Sequence, residues 1–268
     1  MSSLFDLTDR VALVTGAGRG IGLAMAEVFA EHGANVLLAD IDVETAQTAV
    51  ANVEKFGRRG VAVRCDVNDM AQIDALFETL DSEFGRIDIL ANVAGGRELL
   101  VAPEEVDIEG VREVVNAHAV SKFAICQQAG KRMLAAGKGS IVNIGSIATV
   151  SALGRGHISY SLGMGSVATM TRELSTEWAA RGVRVNAILP AQTTNPGLKR
   201  RMDAAPELRS TYLRAIPCGR LGTPDDFKGP ALFLASDASA WVTGILLPVD
   251  GGNLGMNPSG TFPLQHNF

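Results

Sequence analysis

"VALVTGAGRGIG" (residues 11–22) reads as a short apolar run, a glycine-rich turn and the opening of a helix. A run rich in valine and leucine suits a strand buried on both faces. Gly16, Gly20 and Gly22 then allow a tight turn and let the backbone approach a ligand closely. The helix expected from Ile21 to Glu31 aims its free N–H groups and positive dipole end at that turn, which suits a pyrophosphate. Asp40 closes the next apolar run, "NVLLAD" (35–40). At the end of a second strand it can accept hydrogen bonds from adenosine ribose hydroxyls and would repel a 2′-phosphate, which favours NAD over NADP. Arg19, inside the turn, is a basic residue that could serve a phosphate. The glycine pattern alone is common; the strand before it, the helix after it and the acid beyond make it specific.

The same alternation continues outward. "VAVRCD" (61–66), "IDILANVAG" (87–95), "SIVNIGS" (140–146), "VRVNAILP" (183–190) and "GILLPVDGG" (244–252) are further short apolar runs. Amphipathic segments such as "VETAQTAVANVEKF" and "MAQIDALFETLDSEF" separate the earlier ones. This predicts a single doubly wound Rossmann α/β domain over residues 1–268, with a seven-stranded, mostly parallel sheet and helices on both faces. No linker or repeat divides it. The stretch 191–224 carries Pro196, Pro206, Pro217 and Pro224 and reads as a substrate lid with a short helix around Leu198–Met202. A C-terminal tail, 253–268, carries Pro258, Gly260 and Pro263, which argue against a regular helix.

Composition narrows the function. The chain has 268 residues, 47% hydrophobic and 20% charged, with a formal charge of −5. That suits a globular protein and makes nucleic acid a poor partner. Cys65, Cys126 and Cys218 have neither disulfide nor metal-ligand spacing and read as free thiols. The N-terminus lacks the features of a signal peptide, and no run of about 18 apolar residues could span a bilayer. A cytoplasmic protein with a small-molecule substrate, no membrane partner and no metal is expected.

These features, with those that follow them, resemble the short-chain dehydrogenase/reductase family from about Asp9 to Gly252. "TGAGRGIG" is similar to its TGxxxGxG cofactor loop, and "CDV" (65–67) to its adenine-contacting turn, with Asp66 and Val67. "NVAG" (92–95) matches its NNAG motif except at Val93, and brings Asn92, Ala94 and Gly95 to the cofactor. Asn116 falls at the family's helix asparagine, Ser146 at its catalytic serine and Tyr160 at its catalytic tyrosine. Pro190 and Ala191 stand where Pro-Gly usually meets the cofactor, and "DGG" (250–252) is its usual final motif. The resemblance implies hydride transfer between NAD and a secondary alcohol or ketone. Tyr160 would exchange the hydroxyl proton, Ser146 would orient the oxygen, and Asn116 would hold a water.

One departure bears directly on the chemistry. The family's YxxxK motif is here "YSLGM", with Met164 in place of the lysine. In that family the lysine lowers the tyrosine pKa and holds the nicotinamide ribose. A phenol with a pKa of about 10 is only about 0.1% ionised at pH 7, and lowering it to about 7 corresponds to about 4 kcal/mol. Methionine has neither a charge nor a donor for these jobs. Three readings stay open: an introduced Lys-to-Met change, a natural enzyme with a modified proton relay, or an NAD-binding relative without activity that acts as sensor or scaffold. The retention of Asn116, Ser146 and Tyr160 favours the enzyme.

The carboxyl ends of the strands are where a substrate belongs. Arg97 and Arg155 there could take a carboxylate, sulfonate or phosphate, and His157, Gln192 and Asn195 could meet hydroxyls, with Ser146 and Tyr160 at the reacting oxygen. A polar sugar, polyol or hydroxy acid is the expected substrate. The helical regions 104–136 and 159–181 resemble the surfaces through which the family forms homodimers and homotetramers.

Overall fold

Both faces of each strand are covered, and this is why the apolar runs fold as they do. In β1 (Val11–Thr15), Val11 and Leu13 enter one apolar layer while Ala12 and Val14 enter the other. The computed structural model describes residues 3–96 and 98–257; Arg97 and the tail from Pro258 onward, with Gly260 and Pro263, lie outside the described residues. The strands β2 (Asn35–Asp40), β3 (Gly60–Arg64), β4 (Ile89–Asn92), β5 (Gly139–Ile144), β6 (Val183–Pro190) and β7 (Leu246–Val249) join β1 in one sheet. Their order is β3-β2-β1-β4-β5-β6-β7 and every pair is parallel.

One face carries α1 (Gly20–Glu31), α2 (Val43–Glu54) and α9 (Lys228–Ala235), packed through Met25, Phe29, Val53 and Leu234. The other carries α3 (Met70–Phe84), α5 (Ser121–Ala136) and α6 (Ile158–Trp178), packed through Leu76, Leu80, Ile125, Met133 and Leu174. Helix α4 (Ile108–Val115) runs into α5 through a π-helical turn, Asn116–Val120. The ends follow local chemistry. Asp42, Asp69 and Asp107 cap the first turns of α2, α3 and α4, and Gly85 and Gly137 close α3 and α5 in the left-handed region.

The chain order reverses at β1, with Thr15 flanked by Ala39 on β2 and Asn92 on β4. Crossovers leaving β1 go one way and those leaving β4 go the other, so a crevice opens between the two strand ends.

Three sequence expectations change in detail. The fourth strand ends at Asn92 rather than Gly95, because the N–H groups of Val93 and Ala94 turn to the Thr15 hydroxyl, at 3.0 and 3.1 Å. The last strand covers only 246–249, since Gly244, Gly251 and Gly252 adopt positive φ. The stretch 191–224 holds two helices, α7 (Pro196–Ala204) and α8 (Pro206–Leu213), rather than one short one. Pro196 and Pro206 begin these helices at their first turns, where the missing N–H costs nothing. A small apolar cluster of Leu198, Tyr212, Ile216 and Leu221 ties the pair together. Among the described residues, no helix is long and apolar enough to cross a membrane.

The glycine turn makes a graded prediction. A Cβ on Gly22 would lie 2.0 Å from the Gly16 carbonyl oxygen, which is backbone and cannot swing away. A Cβ on Gly20 would meet open space and suffer only its positive φ of 61°. Gly20→Ala is expected to cost about 1 kcal/mol and Gly22→Ala about 3 kcal/mol, read from urea unfolding midpoints at constant slope. Equal losses would contradict the close packing of α1 on the turn.

Candidate active site

The crevice is built by the loops that leave β1, β2, β3 and β4. Gly16 has a φ of 66°, and a Cβ there would lie 3.3 Å from the backbone of Ala94, so the β1 and β4 exits touch. The Gly18 N–H donates to Asp40 Oδ2 at 2.9 Å, and the Asp42 N–H to Asp40 Oδ1 at 3.1 Å. Asp40 therefore braces the turn, while its carboxylate retains lone pairs for further donors. Arg19 precedes α1 in extended conformation, its side chain exposed and not capping the helix. Open space at Gly20, an uncapped first turn at Ile21 and Gly22, and an acid at the end of β2 together fit an anionic dinucleotide. Across the crevice Asp66 Oδ1 accepts from the Asn68 N–H at 2.9 Å, and Val67 is buried beside it.

Asn92 does not face this crevice. It is fully buried, and its Nδ2 donates to the Lys122 carbonyl at 3.0 Å and to Asn143 Oδ1 at 3.2 Å. Its side chain belongs to a polar network under the sheet edge. Beside it Lys122 Nζ donates to the carbonyls of Asn92 at 2.9 Å, Val93 at 3.4 Å and Ala94 at 2.8 Å. Burial pulls this ammonium down to about 8, and the three carbonyl oxygens replace the water it has lost. Ala94 and Gly95 are thus held against the glycine turn from beneath.

Ser146 and Tyr160 come together beyond β5. Ser146 opens a short helical turn at 147–149, with its Oγ accepting from the Ala148 N–H at 3.2 Å. Tyr160 lies in the first turn of α6, and its phenol is raised above the ordinary value chiefly by burial. The Ser146 hydroxyl opposes that rise and the Glu98 carboxylate adds to it. No cation among the described residues appears on the stabilising side. Met164, one turn further along α6, is buried and supplies no charge. Asn116 begins the π-helical turn and lies on the α4–α5 side of this site.

Ser146 and Tyr160 both line a cavity of about 120 Å³ that also reaches Glu98, Arg155, His157 and Gln192. His157 Nδ1 faces the Gly154 carbonyl at 2.7 Å, which assigns a proton to Nδ1, and Nε2 lies 4.0 Å from Glu98 Oε2. Arg155 stands over the Tyr212 ring at 5.2 Å, on backbone with a φ of 55°. Gln192 Oε1 is buried and has no partner. Pro190 and Ala191 end β6 at the cavity wall. Asn195 also lines it, but its Oδ1 accepts from the Leu198 N–H at 2.8 Å and its Nδ2 donates to the Thr193 carbonyl at 3.3 Å. Asn195 thus caps α7 as well as lining the cavity.

Residues 16–253 match the family model described as enoyl-(acyl carrier protein) reductase, one of the short-chain dehydrogenase/reductase models. The chain belongs to the short-chain dehydrogenase/reductase family. It is 40% identical over 255 residues to D-threitol dehydrogenase of Mycolicibacterium smegmatis, covering 92% of this chain and 94% of the relative. It is 36% identical to 2-dehydro-3-deoxy-D-gluconate 5-dehydrogenase of Pseudoalteromonas atlantica, over 95% of this chain and all (100%) of that protein. Among solved structures, a candidate NAD(P)-dependent gluconate 5-dehydrogenase from Beutenbergia cavernae with bound NADP superposes with a TM-score of 0.87 at 36% identity, covering 94% of this chain and 99% of the other. As a member of this family of dehydrogenases, the protein is an oxidoreductase that acts on a secondary alcohol.

Sequence reading missed Glu98, His118, Lys122 and Arg201. Glu98 lies outside any motif, and Arg201, 3.5 Å from it, belongs to the helix pair that prolines disguised as loop. Lys122 and His118 lie in a stretch whose polar residues resemble a solvated helix face. His118 is in fact buried, and burial first, then the Lys122 ammonium, push its imidazole down to about 4. A histidine held neutral in the fold contributes stability that is present above its unfolded pKa, near 6.5, and is lost as pH falls toward 4. Between pH 7 and pH 4 the protein should lose about 3 kcal/mol more than His118→Asn, measured by urea unfolding at each pH. Parallel losses would show that this imidazole is not held neutral.

Proposed function

We propose that the protein is an NAD-dependent dehydrogenase interconverting a secondary alcohol and a ketone on a small polyol or sugar. The observation that carries this reading is the pairing of the Ser146 and Tyr160 hydroxyls on one polar cavity beside the dinucleotide crevice. Ser146 orients the substrate oxygen and Tyr160 takes its proton as the alcohol is oxidised, returning it in reduction. NAD, held by the Gly16–Gly22 turn, Asp40 and the Ala94–Gly95 exit, supplies the hydride acceptor. Pro190, Ala191, Asp66 and Val67 complete its walls. His157 Nε2, the free Gln192 oxygen and the Glu98 carboxylate meet substrate hydroxyls, while Arg155 guards the mouth. Relatives that bear tetritol and sugar-acid names agree with a polar, hydroxylated substrate.

Asp40 favours NAD, because a carboxylate at the end of β2 would repel a 2′-phosphate. Calorimetric titration should give tighter binding of NAD⁺ than of NADP⁺, with the gap narrowed in Asp40→Ala. A wild-type preference for NADP⁺ would remove this assignment.

The raised phenol sets the pH behaviour. With no cation among the described residues to favour the phenolate, oxidation of a tetritol or pentitol should rise about tenfold per pH unit through the neutral range. Met164→Lys should raise kcat most at pH 7 and progressively less toward pH 10, and Tyr160→Phe should abolish turnover in either background. Identical pH profiles for wild type and Met164→Lys would show that the proton leaves by another route. No turnover of any polyol or sugar by wild type and Met164→Lys alike, with NAD⁺ still bound, would support a sensor or scaffold instead.

A further inference from the structure

We propose that His118 holds the ribose next to the nicotinamide, taking over the positioning half of the work for which Met164 has no donor. The inference rests on the NAD-dependent reading above. The π-helical turn Asn116–Val120 adds a residue to the helix and carries His118 into the protein interior. Its ring stands edge-on to the Tyr160 ring, with centroids 5.4 Å apart and planes at 88°. Two glycines make the space. A Cβ on Gly163 would lie 2.8 Å from His118 Cβ and one on Gly95 would lie 2.6 Å from its Cε1, while Gly96 lies beside Nε2, where a Cβ at 3.8 Å would be in ordinary contact. Gly163 immediately precedes Met164, so room for the imidazole and loss of the ammonium fall on adjacent residues.

Both ring nitrogens are buried, and neither has a partner among the described residues; the Gly96 backbone acts on the ring without a bond of proper geometry. Leaving an imidazole unpaired in the interior is costly, and natural sites of this kind are completed by a ligand or an ordered water. The position says which ligand. On one side lies the Ala94–Gly95 exit that abuts the phosphate turn, and on the other lies Tyr160. In a dinucleotide, the unit covalently placed between pyrophosphate and reacting ring is the second ribose. The neutral imidazole offers one donor and one acceptor, the complement of a ribose hydroxyl pair. A small displacement of the side-chain-free Gly95–Gly96 segment exposes the ring edge. The electrostatic half of the lysine's work stays unfilled, since a neutral ring with Lys122 behind it adds no charge beside Tyr160.

Calorimetry with NAD⁺, ADP-ribose and ADP separates this role from a structural one without any turnover, because only the first two carry the second ribose. His118→Ala should weaken NAD⁺ and ADP-ribose about tenfold and leave ADP within about twofold. His118→Gln, which restores a donor and an acceptor, should recover part of the loss. Gly163→Ala keeps the imidazole but displaces it, and should reproduce the same selective pattern; it carries the test if the alanine variant at 118 does not fold. A loss shared equally by ADP, or unchanged ADP-ribose binding, would overturn the proposal and leave His118 as a packing residue with at most a buried water. Failure of the wild-type protein to bind NAD⁺ and NADP⁺ would instead overturn the dehydrogenase reading, and this proposal with it.

Discussion

The way the chain leaves β4 governs the C-terminal edge of the sheet. One ammonium, Lys122 Nζ, gathers the carbonyls of Asn92, Val93 and Ala94, while the Thr15 hydroxyl gathers the N–H groups of Val93 and Ala94. A segment departing from a parallel sheet must satisfy its backbone elsewhere, and here buried groups from α5 and β1 do so. Ala94 is thereby placed against the phosphate loop, and the Gly95–Gly96 segment that follows it lies against His118. Asn92 extends the arrangement inward to Asn143 and Cys126. The side chains of Thr15, Asn92, Lys122, Cys126 and Asn143 are buried, so each is held by the cost of stranding the others.

That rigid edge contrasts with the groups facing the substrate. Glu98 lies between Arg201 and His157, Arg155 rests on Tyr212, and Gln192 ends in an unpartnered oxygen. These contacts are long or singly made, and most cross from the β4 and β5 exits to the α7–α8 pair. The helix pair has its own small core of Leu198, Tyr212, Ile216 and Leu221, separate from the two layers on the sheet. A wall built in this way can differ between relatives while the sheet edge stays fixed, in keeping with a family whose members bear the names of different polyol and sugar-acid substrates.

The Tyr160 environment joins the two regions. Burial and Glu98 disfavour the phenolate, and only the Ser146 hydroxyl opposes them among the described residues. The site therefore keeps the geometry of proton exchange while lacking a permanent charge that would ready the tyrosine at neutral pH. The π-helical turn and Gly163 bring a neutral ring, not a cation, to the neighbouring space. Positioning and electrostatics, which one lysine can combine, are separate matters in this chain.

The sequence by itself determined the sheet, the phosphate turn and the order of Ser146 and Tyr160. Those rest on local signals: two-faced apolar runs, glycines that must adopt positive φ, and acids that cap helices. It also determined that Met164 carries no charge, since that is a property of the side chain. It left the side-chain partners of Asn92 and Asn195 unread, because an amide reads alike whether it points to a ligand, a network or a helix end. It read the prolines at 196 and 206 as loop marks, because the same fixed φ that breaks a helix interior also starts one. Tertiary structure alone decided that Lys122 and His118 are interior residues. Polar residues along a helix look solvated until a one-residue π-helical shift and the absence of two side chains, at Gly95 and Gly163, turn one of them toward Tyr160. Such a contact depends on space left by residues distant in the chain, and no local pattern records a space.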